Sequence, residues 1–440
     1  MAHWQNGRWS LLVLFVYSLP LVEGPKNILW GLLLALWLVS VATGKERLRW
    51  GILEVVIIPW IGLCALSPFF AIESSSALKG CWDVLRGTLV FWFSRDILAR
   101  EERRQAIVRH LLLATCLGCL CGWWHSLHGL PKALSGIPYA KCMALQLPAV
   151  GHFNHSAIFL TMVWMMGIAA SLDNRFFNRQ SFSWPLLKKH FHRFASACRR
   201  SRSGRMAISR TGMLPAILWL LDRHLLRHQW FTRTAIFIVG FSLLGTSSRS
   251  AVMITVAGSL FILWRTKPPA WIIKTALGVA GLSLIAFAGC HSLRERLLFR
   301  GSFHERKIIW QTAKDAAVQR PWTGVGLNNF KNIILPSDDP MQLKTIDHAH
   351  NLYFNTLAQL GFPGLAALLL LLGAAAHRIW QARKSPTRGP LWFWIAGGAW
   401  FAIAATGLSN TSLHHQMAIL FFLTLSLTGS HSTKTSPPVP

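Results

Sequence analysis

Long apolar runs alternate with short polar stretches along nearly the whole chain. A helix of about 17–25 apolar residues is long enough to cross the hydrocarbon core of a bilayer. The pattern therefore predicts an all-α polytopic membrane protein with about twelve transmembrane helices and one large outward-facing loop that carries short amphipathic helices. The predicted spans are 9–22, 27–43, 51–70, 80–95, 106–123, 151–171, 229–246, 249–264, 270–289, 351–376, 391–408 and 413–429.

The composition agrees with this class of protein. Of the 440 residues, 52% are hydrophobic and 14% are charged, whereas a soluble domain carries roughly a quarter charged residues. The first apolar stretch runs into a second span without a cleavage-type sequence, so we expect it to be retained as a helix. The Cys residues show neither metal-binding nor disulfide-framework spacing, and Cys116, Cys119 and Cys121 are expected to be small core residues.

The formal net charge of +29 does not indicate a nucleic-acid-binding protein, because the positive residues are confined to particular loops. Short cytoplasmic loops of membrane proteins are enriched in Lys and Arg, and this asymmetry predicts that both termini are cytoplasmic. The short loops assigned to that side carry Lys45, Arg47, Arg49, Arg95, Arg100, Arg103, Arg104, Arg378, Arg383, Lys384 and Arg388.

The spans and loops divide the chain into six parts. In chain order they are helices 1–6 (1–171), a basic cytoplasmic loop (172–228), helices 7–9 (229–289), the outward-facing loop (290–350), helices 10–12 (351–429) and a cytoplasmic tail (430–440). We expect the basic cytoplasmic loop to lie on anionic membrane lipids. A short re-entrant span within it is the alternative.

Arg249 lies in a turn between two predicted spans. A guanidinium near the bilayer is costly unless it is paired or functional. One interpretation is an arginine whose side chain extends to lipid phosphates. The other is a contact for an anionic substrate group, because the planar fork of donors matches phosphate oxygens. The outward-facing loop is itself rich in Lys and Arg, and an anionic ligand gives a reason for that charge.

An amphipathic helix is predicted at 304–318, where apolar side chains recur at helical spacing; we expect it to lie on the outer face of the membrane. Arg306 and Trp310 are four residues apart and share one face of it. After the helix ends, Gly324 and Gly326 permit a close approach of the backbone to another group. The pair is not a nucleotide-binding loop, because no Lys-Ser/Thr follows it.

The stretch 347–354, with the sequence DHAHNLYF, joins the outward-facing loop to the tenth predicted span. His350 would lie in the first turn of that helix, where the helix dipole keeps the imidazole neutral and available as a base. The alternative is that His350 only caps the helix. His348 and Asn351 are candidates for supporting or substrate-binding roles. No metal is expected at the two histidines, because the outward face lacks an acid-rich cluster of ligands.

The tenth span itself has two unusual features. Asn351, Asn355 and Gln359 follow at four-residue spacing and predict a polar stripe on one helical face. The sequence GFPG at 361–364 then predicts a break or kink near the membrane surface.

Arg249, Arg306 and His350 are all predicted on the outward side of the membrane. Two guanidinium groups and one neutral imidazole suit a reaction with an anionic leaving group and a hydroxyl nucleophile that must be deprotonated. Arg86, in the fourth span, is either a third phosphate contact or the partner of Asp83, three residues earlier.

Four segments resemble the bacterial O-antigen ligases, a family related to O-antigen polymerases and some O-linked oligosaccharyltransferases. They are TSSR at 246–249, Arg306 with Trp310, PWTGVGLNNF at 321–330 and HNLYFNTLAQLGFPG at 350–364. The resemblance implies a glycosyltransferase that moves O-antigen polysaccharide from undecaprenyl pyrophosphate to a sugar hydroxyl of lipid A-core, at the periplasmic face of the bacterial inner membrane. It implies an inverting reaction with His350 as general base, Arg249 and Arg306 on the pyrophosphate, and no metal or other cofactor.

Three alternatives remain open. An O-antigen polymerase uses the same donor with a different acceptor, and such polymerases tend to have two sizeable periplasmic loops, whereas this chain has one. A protein-directed O-linked oligosaccharyltransferase is the second alternative. A membrane transporter is the third, on the number of spans alone, although the sequence shows no two-fold internal repeat.

The charge asymmetry makes a direct prediction about topology. In a background without other Cys, a Cys at position 338 is expected to react with a membrane-impermeant thiol reagent added from outside. A Cys at position 202 is expected to react only after the membrane is permeabilised. The opposite labelling pattern would show that the predicted orientation is inverted.

Overall fold

The computed structural model describes residues 2–46, 48, 50–128, 144–173, 218, 221–266, 270, 273–274, 277–278, 281, 302–333, 346–385 and 389–429. The long elements of secondary structure in these residues are all helices. They are α1 (Ala2–Leu21), α2 (Glu23–Ala42), α3 (Ile52–Phe70), α4 (Ser74–Ile97), α5 (Glu101–His128), α6 (Phe153–Ser171), α7 (Gln229–Gly245), α8 (Arg249–Thr266), α9 (Ser302–Gln319), α10 (Leu352–Ala382), α11 (Gly389–Thr406) and α12 (His415–Ser426).

The helices agree with the predicted spans. Each span coincides with one of them except 270–289, most of which lies outside the described residues. By length and composition, five of the described helices can cross a membrane, namely α2, α3, α5, α6 and α10. The chain is therefore a multi-pass helical membrane protein, and the total of twelve spans stays a prediction.

Large apolar side chains cover much of the outer surface of the bundle. Phe69, Met253 and Trp264 are 80%, 71% and 76% exposed, which is typical of a surface that faces lipid rather than water. In contrast, α12 is buried from Gln416 to Ser426, and α6 packs against α5, α7, α8 and α11. These two helices form the centre of the bundle.

Glycines allow the helices around α6 to approach closely. A Cβ added at Gly398 would lie 2.7 Å from Cβ of Met165, and one at Gly258 would overlap the end of the same side chain. Small residues at helix contacts are the usual device for close packing in membranes, because the hydrophobic effect does not drive helices together there.

Contacts between loops show which of them lie at the same end of the bundle. At one end, a carboxylate oxygen of Glu54 accepts hydrogen bonds from Arg95 (3.1 Å) and Arg378 (3.2 Å), so two of the predicted basic loops lie together. At the other end, Ile72 N–H donates to Val325 O (3.0 Å), which joins the α3–α4 connection to the outward-facing loop. This sorting agrees with the predicted topology, and the labelling experiment above tests which end is cytoplasmic.

Most of the basic cytoplasmic loop lies outside the described residues, and so does the tail at 430–440. Its last part forms a short π-helical turn, Asp222–Leu226. There Asp222 accepts two hydrogen bonds from Arg109 of α5, at 2.6 and 2.9 Å. An acidic residue in this basic loop is thus fixed to the bundle by a bidentate contact.

The cysteines of α5 divide into two groups. Cys116 and Cys119 are buried, as expected of small core residues, but Cys121 is exposed. The prediction for Cys121 was wrong because position 121 turns away from the bundle while 116 and 119 face it.

The predicted break in α10 is present. Gly361 has φ 66° and ψ −165°, a conformation available to glycine and strained for other residues. In a continuous α-helix Phe362 N–H would donate to Ala358 O and residue 363 to Gln359 O, but Pro363 has no N–H. The break therefore leaves the carbonyls of Ala358 and Gln359 without their helical donors.

The segment after α9 supplies the missing partners. Val325 N–H donates to Ala358 O and Gly326 N–H donates to Gln359 O, both at 2.9 Å, while Phe362 N–H donates to Pro321 O at 2.8 Å. The two released carbonyls and the N–H of Phe362 are thereby bonded again, which is a requirement inside a membrane protein. The close approach predicted for the Gly324–Gly326 loop is thus an approach to α10.

This contact leaves no room for a side chain. Gly324 has φ +62°, and an added Cβ would overlap backbone atoms of Gln359; an added Cβ at Gly361 would overlap Pro321 O. Because the neighbours are backbone atoms, they cannot turn away.

Gly361→Ala and Gly324→Ala are therefore expected to destabilise the protein by at least the roughly 1–3 kcal/mol of a strained backbone position. Gly373→Ala is the matched control, since Gly373 also lies in α10 and an added Cβ meets nothing within 4 Å. Thermal unfolding in detergent measures the effect. Equal midpoints for Gly361→Ala and Gly373→Ala would show that the break does not depend on glycine.

Candidate active site

His350 lies immediately before α10, and its neighbour caps that helix. Asn351 Oδ1 accepts hydrogen bonds from the N–H groups of Tyr353 (2.9 Å) and Phe354 (3.0 Å), and its Nδ2 donates to Leu408 O (2.9 Å). The hypothesis that His350 is the cap is therefore wrong, and the supporting role expected of Asn351 is a structural one.

His350 is held in a strained conformation. Its φ is +49°, a region that residues other than glycine occupy at a cost and that is enriched at functional sites. Both peptide groups of Ala349 fix it: Ala349 O accepts from Trp310 Nε1 (3.1 Å), and Ala349 N–H donates to Asn355 Oδ1 (3.1 Å). Trp310 and Asn355 thus position the residue before the histidine.

The His350 imidazole is neutral at neutral pH. Burial lowers its pKa, and the positive charge of Arg306 lowers it further, to about 4. The Nδ1 atom is buried and has no hydrogen-bond partner among the described residues. A buried polar atom left without a partner has an energetic cost, which makes it a candidate contact for a ligand.

Arg306 and Arg249 are electrostatic neighbours. Burial lowers the pKa of the Arg306 guanidinium, and the charge of Arg249 lowers it further. Arg249 is the first residue of α8, and a helix N-terminus adds a partial positive charge of its own. The structure thus brings Arg249, Arg306 and His350 together in a positively charged region, where an anion would relieve the repulsion between the guanidinium groups.

Helix α9 confirms the predicted amphipathic element, but its apolar face packs on protein. Ile309, Ala313 and Ala316 are buried in one cluster with Ala358 of α10. This packing fixes Arg306 and Trp310 against the start of α10. The exposed apolar residues next to this face are Val318 and Trp322.

The polar stripe on α10 supports the backbone around the site. Gln359 Oε1 accepts from Asn328 N–H (3.2 Å), and Gln359 Nε2 is 3.5 Å from Asn355 Oδ1. These bonds explain why an asparagine at 355 and a glutamine at 359 are needed at these positions. The contacts described above explain the same for Gly324 and Gly326.

Arg86 pairs with Asp83, which was the simpler of the two interpretations of this arginine. Its guanidinium donates to Asp83 (2.8 Å) and to Asn27 of α2 (2.9 Å), and the side chain is buried. A role as a third phosphate contact would require this pair to open.

Next to the catalytic candidates lies a cavity of about 130 Å³. His348 reaches it from the loop before α10, and its ring lies 4.5 Å from that of His350. Burial is the main cause that lowers the pKa of His348, to about 3. The cavity is also lined by Asp83, His155, His414 and His415.

Sequence reasoning missed this group of residues. Asp83, His414 and His415 each place one metal-ligating atom within 4.8 Å of the other two. The available signal was the His-His pair at the start of the last apolar run. Its partner Asp83 is far away in sequence, and only the packing of α12 on α4 brings them together.

Fold and site thus define a multi-pass helical membrane protein with a positively charged, histidine-containing site at one end of the bundle. The family model for O-antigen ligase matches residues 234–369. This segment contains Arg249, Arg306 and His350, and the match supports the resemblance to the O-antigen ligase superfamily. No curated protein matches the chain.

The O-antigen ligase family is glycosyltransferase-like and implies a lipid-linked polysaccharide and a lipid acceptor in general. The match begins in α7 and ends within α10, so it covers the break in α10 and the segment that fills it.

Proposed function

We propose that this protein transfers O-antigen polysaccharide from undecaprenyl pyrophosphate to a sugar hydroxyl of lipid A-core, at the periplasmic face of the inner membrane. The observation that carries the proposal is the grouping of Arg249, Arg306 and His350. Two guanidinium groups supply binding for a pyrophosphate. A partly buried neutral imidazole, whose buried Nδ1 has no partner among the described residues, supplies a base.

In this reaction the acceptor hydroxyl attacks the anomeric carbon of the donor sugar. His350 accepts the hydroxyl proton as the new C–O bond forms. The bond from the anomeric carbon to the pyrophosphate oxygen breaks, and the pair of electrons leaves with the pyrophosphate, whose growing charge Arg249 and Arg306 stabilise. A single displacement inverts the anomeric configuration.

Binding of the donor prepares the base. In the free protein the charge of Arg306 helps to lower the pKa of His350. A pyrophosphate bound to Arg306 offsets that charge and raises the pKa of the imidazole toward its ordinary value, which makes it a stronger base. The proton acceptor therefore becomes effective when the leaving group is in place.

The chemistry needs no metal or other cofactor. The pyrophosphate is an activated leaving group, and guanidinium groups replace the divalent cation that would otherwise neutralise it.

The glycolipids of a deletion strain distinguish ligase from polymerase. We expect loss of long-chain lipopolysaccharide while lipid-linked polymer still accumulates, because only the final transfer is blocked. Accumulation of single repeat units on the lipid carrier would instead identify a polymerase and would contradict the proposal.

The proposed roles of His350 and the arginines separate kinetically. His350→Ala is expected to lower turnover by roughly 10²–10⁴-fold, as for a general base, with little change in donor binding. Arg249→Ala and Arg306→Ala are expected to weaken donor binding and to lower turnover. Lys at either position is expected to restore both poorly, because it lacks the two-pronged geometry of the guanidinium group. Binding of undecaprenyl pyrophosphate and transfer are measured on the same purified samples.

Lys307→Ala is the control, since it removes a positive charge from the same turn of α9 at an exposed position. It is expected to leave donor binding nearly unchanged. Full activity of folded His350→Ala would exclude the histidine as base. Normal donor binding by both arginine variants would place the pyrophosphate elsewhere.

A further inference from the structure

We propose that Asp83, His414 and His415 form a binding site for one divalent transition-metal ion of the zinc type. The three residues come from α4 and from the start of α12, and their ligating atoms lie within 4.8 Å of one another. None of the three belongs to the group formed by Arg249, Arg306 and His350. Imidazole nitrogen and carboxylate oxygen are ordinary ligands of Zn²⁺.

The spacing already fits part of a coordination sphere. Bonds of about 2.0–2.1 Å place neighbouring ligands of a tetrahedral zinc about 3.4 Å apart. Nδ1 of His415 lies 3.3 Å from Oδ2 of Asp83, and the rings of His414 and His415 are 3.6 Å apart between centroids. Small side-chain rotations therefore suffice to bring all three ligand atoms onto one ion.

Asp83 is oriented for this role by its other oxygen. Arg86 binds Oδ1 at 2.8 Å, which leaves Oδ2 directed toward His415. Arg86 in turn is held by Asn27. Hydrogen bonds that fix a ligating carboxylate from behind are a common feature of metal sites and strengthen them.

The two histidines are also fixed by the fold. His415 has φ +43°, a strained conformation that the surroundings must impose. The next residue, Gln416, is buried and donates its side-chain N–H to Ala149 O. The start of α12 is thus anchored directly after the two histidines, so little conformational freedom is lost when an ion binds.

The adjoining cavity has room to complete the coordination. Its volume of about 130 Å³ accommodates the ion and a water molecule as fourth ligand. His155 is a further imidazole close to the site, with its ring 6.1 Å from that of His414. Three protein ligands with one open position form a site from which the ion can be exchanged.

The ligand types select the kind of ion. The three proposed ligands include a single carboxylate, and that carboxylate is bound to Arg86. Mg²⁺ and Ca²⁺ depend on several oxygen ligands and on negative charge, so they are disfavoured. Two imidazole ligands favour the zinc type instead, because these ions bind nitrogen more strongly.

Zinc binding is measured on the purified full-length protein in detergent, without a polyhistidine tag, by titration against a chromophoric chelator. We expect the wild type to bind one zinc more per chain than the double variant His414→Gln/His415→Gln, and a large excess of Mg²⁺ not to displace it. His377→Gln is the control, since His377 is an exposed histidine of α10, and it should bind zinc like the wild type.

Cobalt absorption provides a second measurement on the same samples. Wild type loaded with Co²⁺ should show the intense visible bands of a tetrahedral site, and His415→Gln should lose them while remaining monodisperse. Equal zinc uptake by the wild type and the double variant, or no cobalt bands in the wild type, would overturn the proposal. Both measurements record binding alone, so they remain informative whether or not transfer persists in a chelator.

Discussion

The break in α10 is the constraint on which the site depends. Pro363 and Gly361 interrupt the helix inside a bundle where unbonded carbonyls are costly, and the segment after α9 bonds to them. The outward-facing loop is therefore not an appendage of the bundle but the part that completes one of its helices. Its contact with α10 fixes the position of α9 along α10 and the orientation of α9 relative to α10.

The positions of the charged groups follow from this docking. Once α9 is set against α10, Trp310 reaches the carbonyl of Ala349, and Arg306 lies close enough to His350 to lower its pKa. Arg249 joins them from the start of α8. Side chains from three separate segments thus meet, and no single segment determines the distances between them. A displaced outward-facing loop would separate His350 from the two arginines.

Much of this was predictable from sequence because it depends on local patterns. Apolar length gave the spans, helical spacing gave α9, and the GFPG sequence gave the break. The partner of the Gly324–Gly326 loop was not predictable, since it required knowing which carbonyls the break exposes. Local pattern also placed His350 in the first turn of α10 and left open that it caps the helix, whereas the cap is Asn351 and His350 lies before the helix. The group of Asp83, His414 and His415 was missed because it depends entirely on how α12 packs against α4.

In the proposed transfer, the charges of the site would couple the base to the donor. In the free protein the charge of Arg306 helps to lower the pKa of His350, which keeps the imidazole neutral and makes it a weak base. A bound pyrophosphate would offset that charge and raise the pKa of the imidazole. The proposed base would therefore accept the proton of the acceptor hydroxyl more readily once the donor is bound.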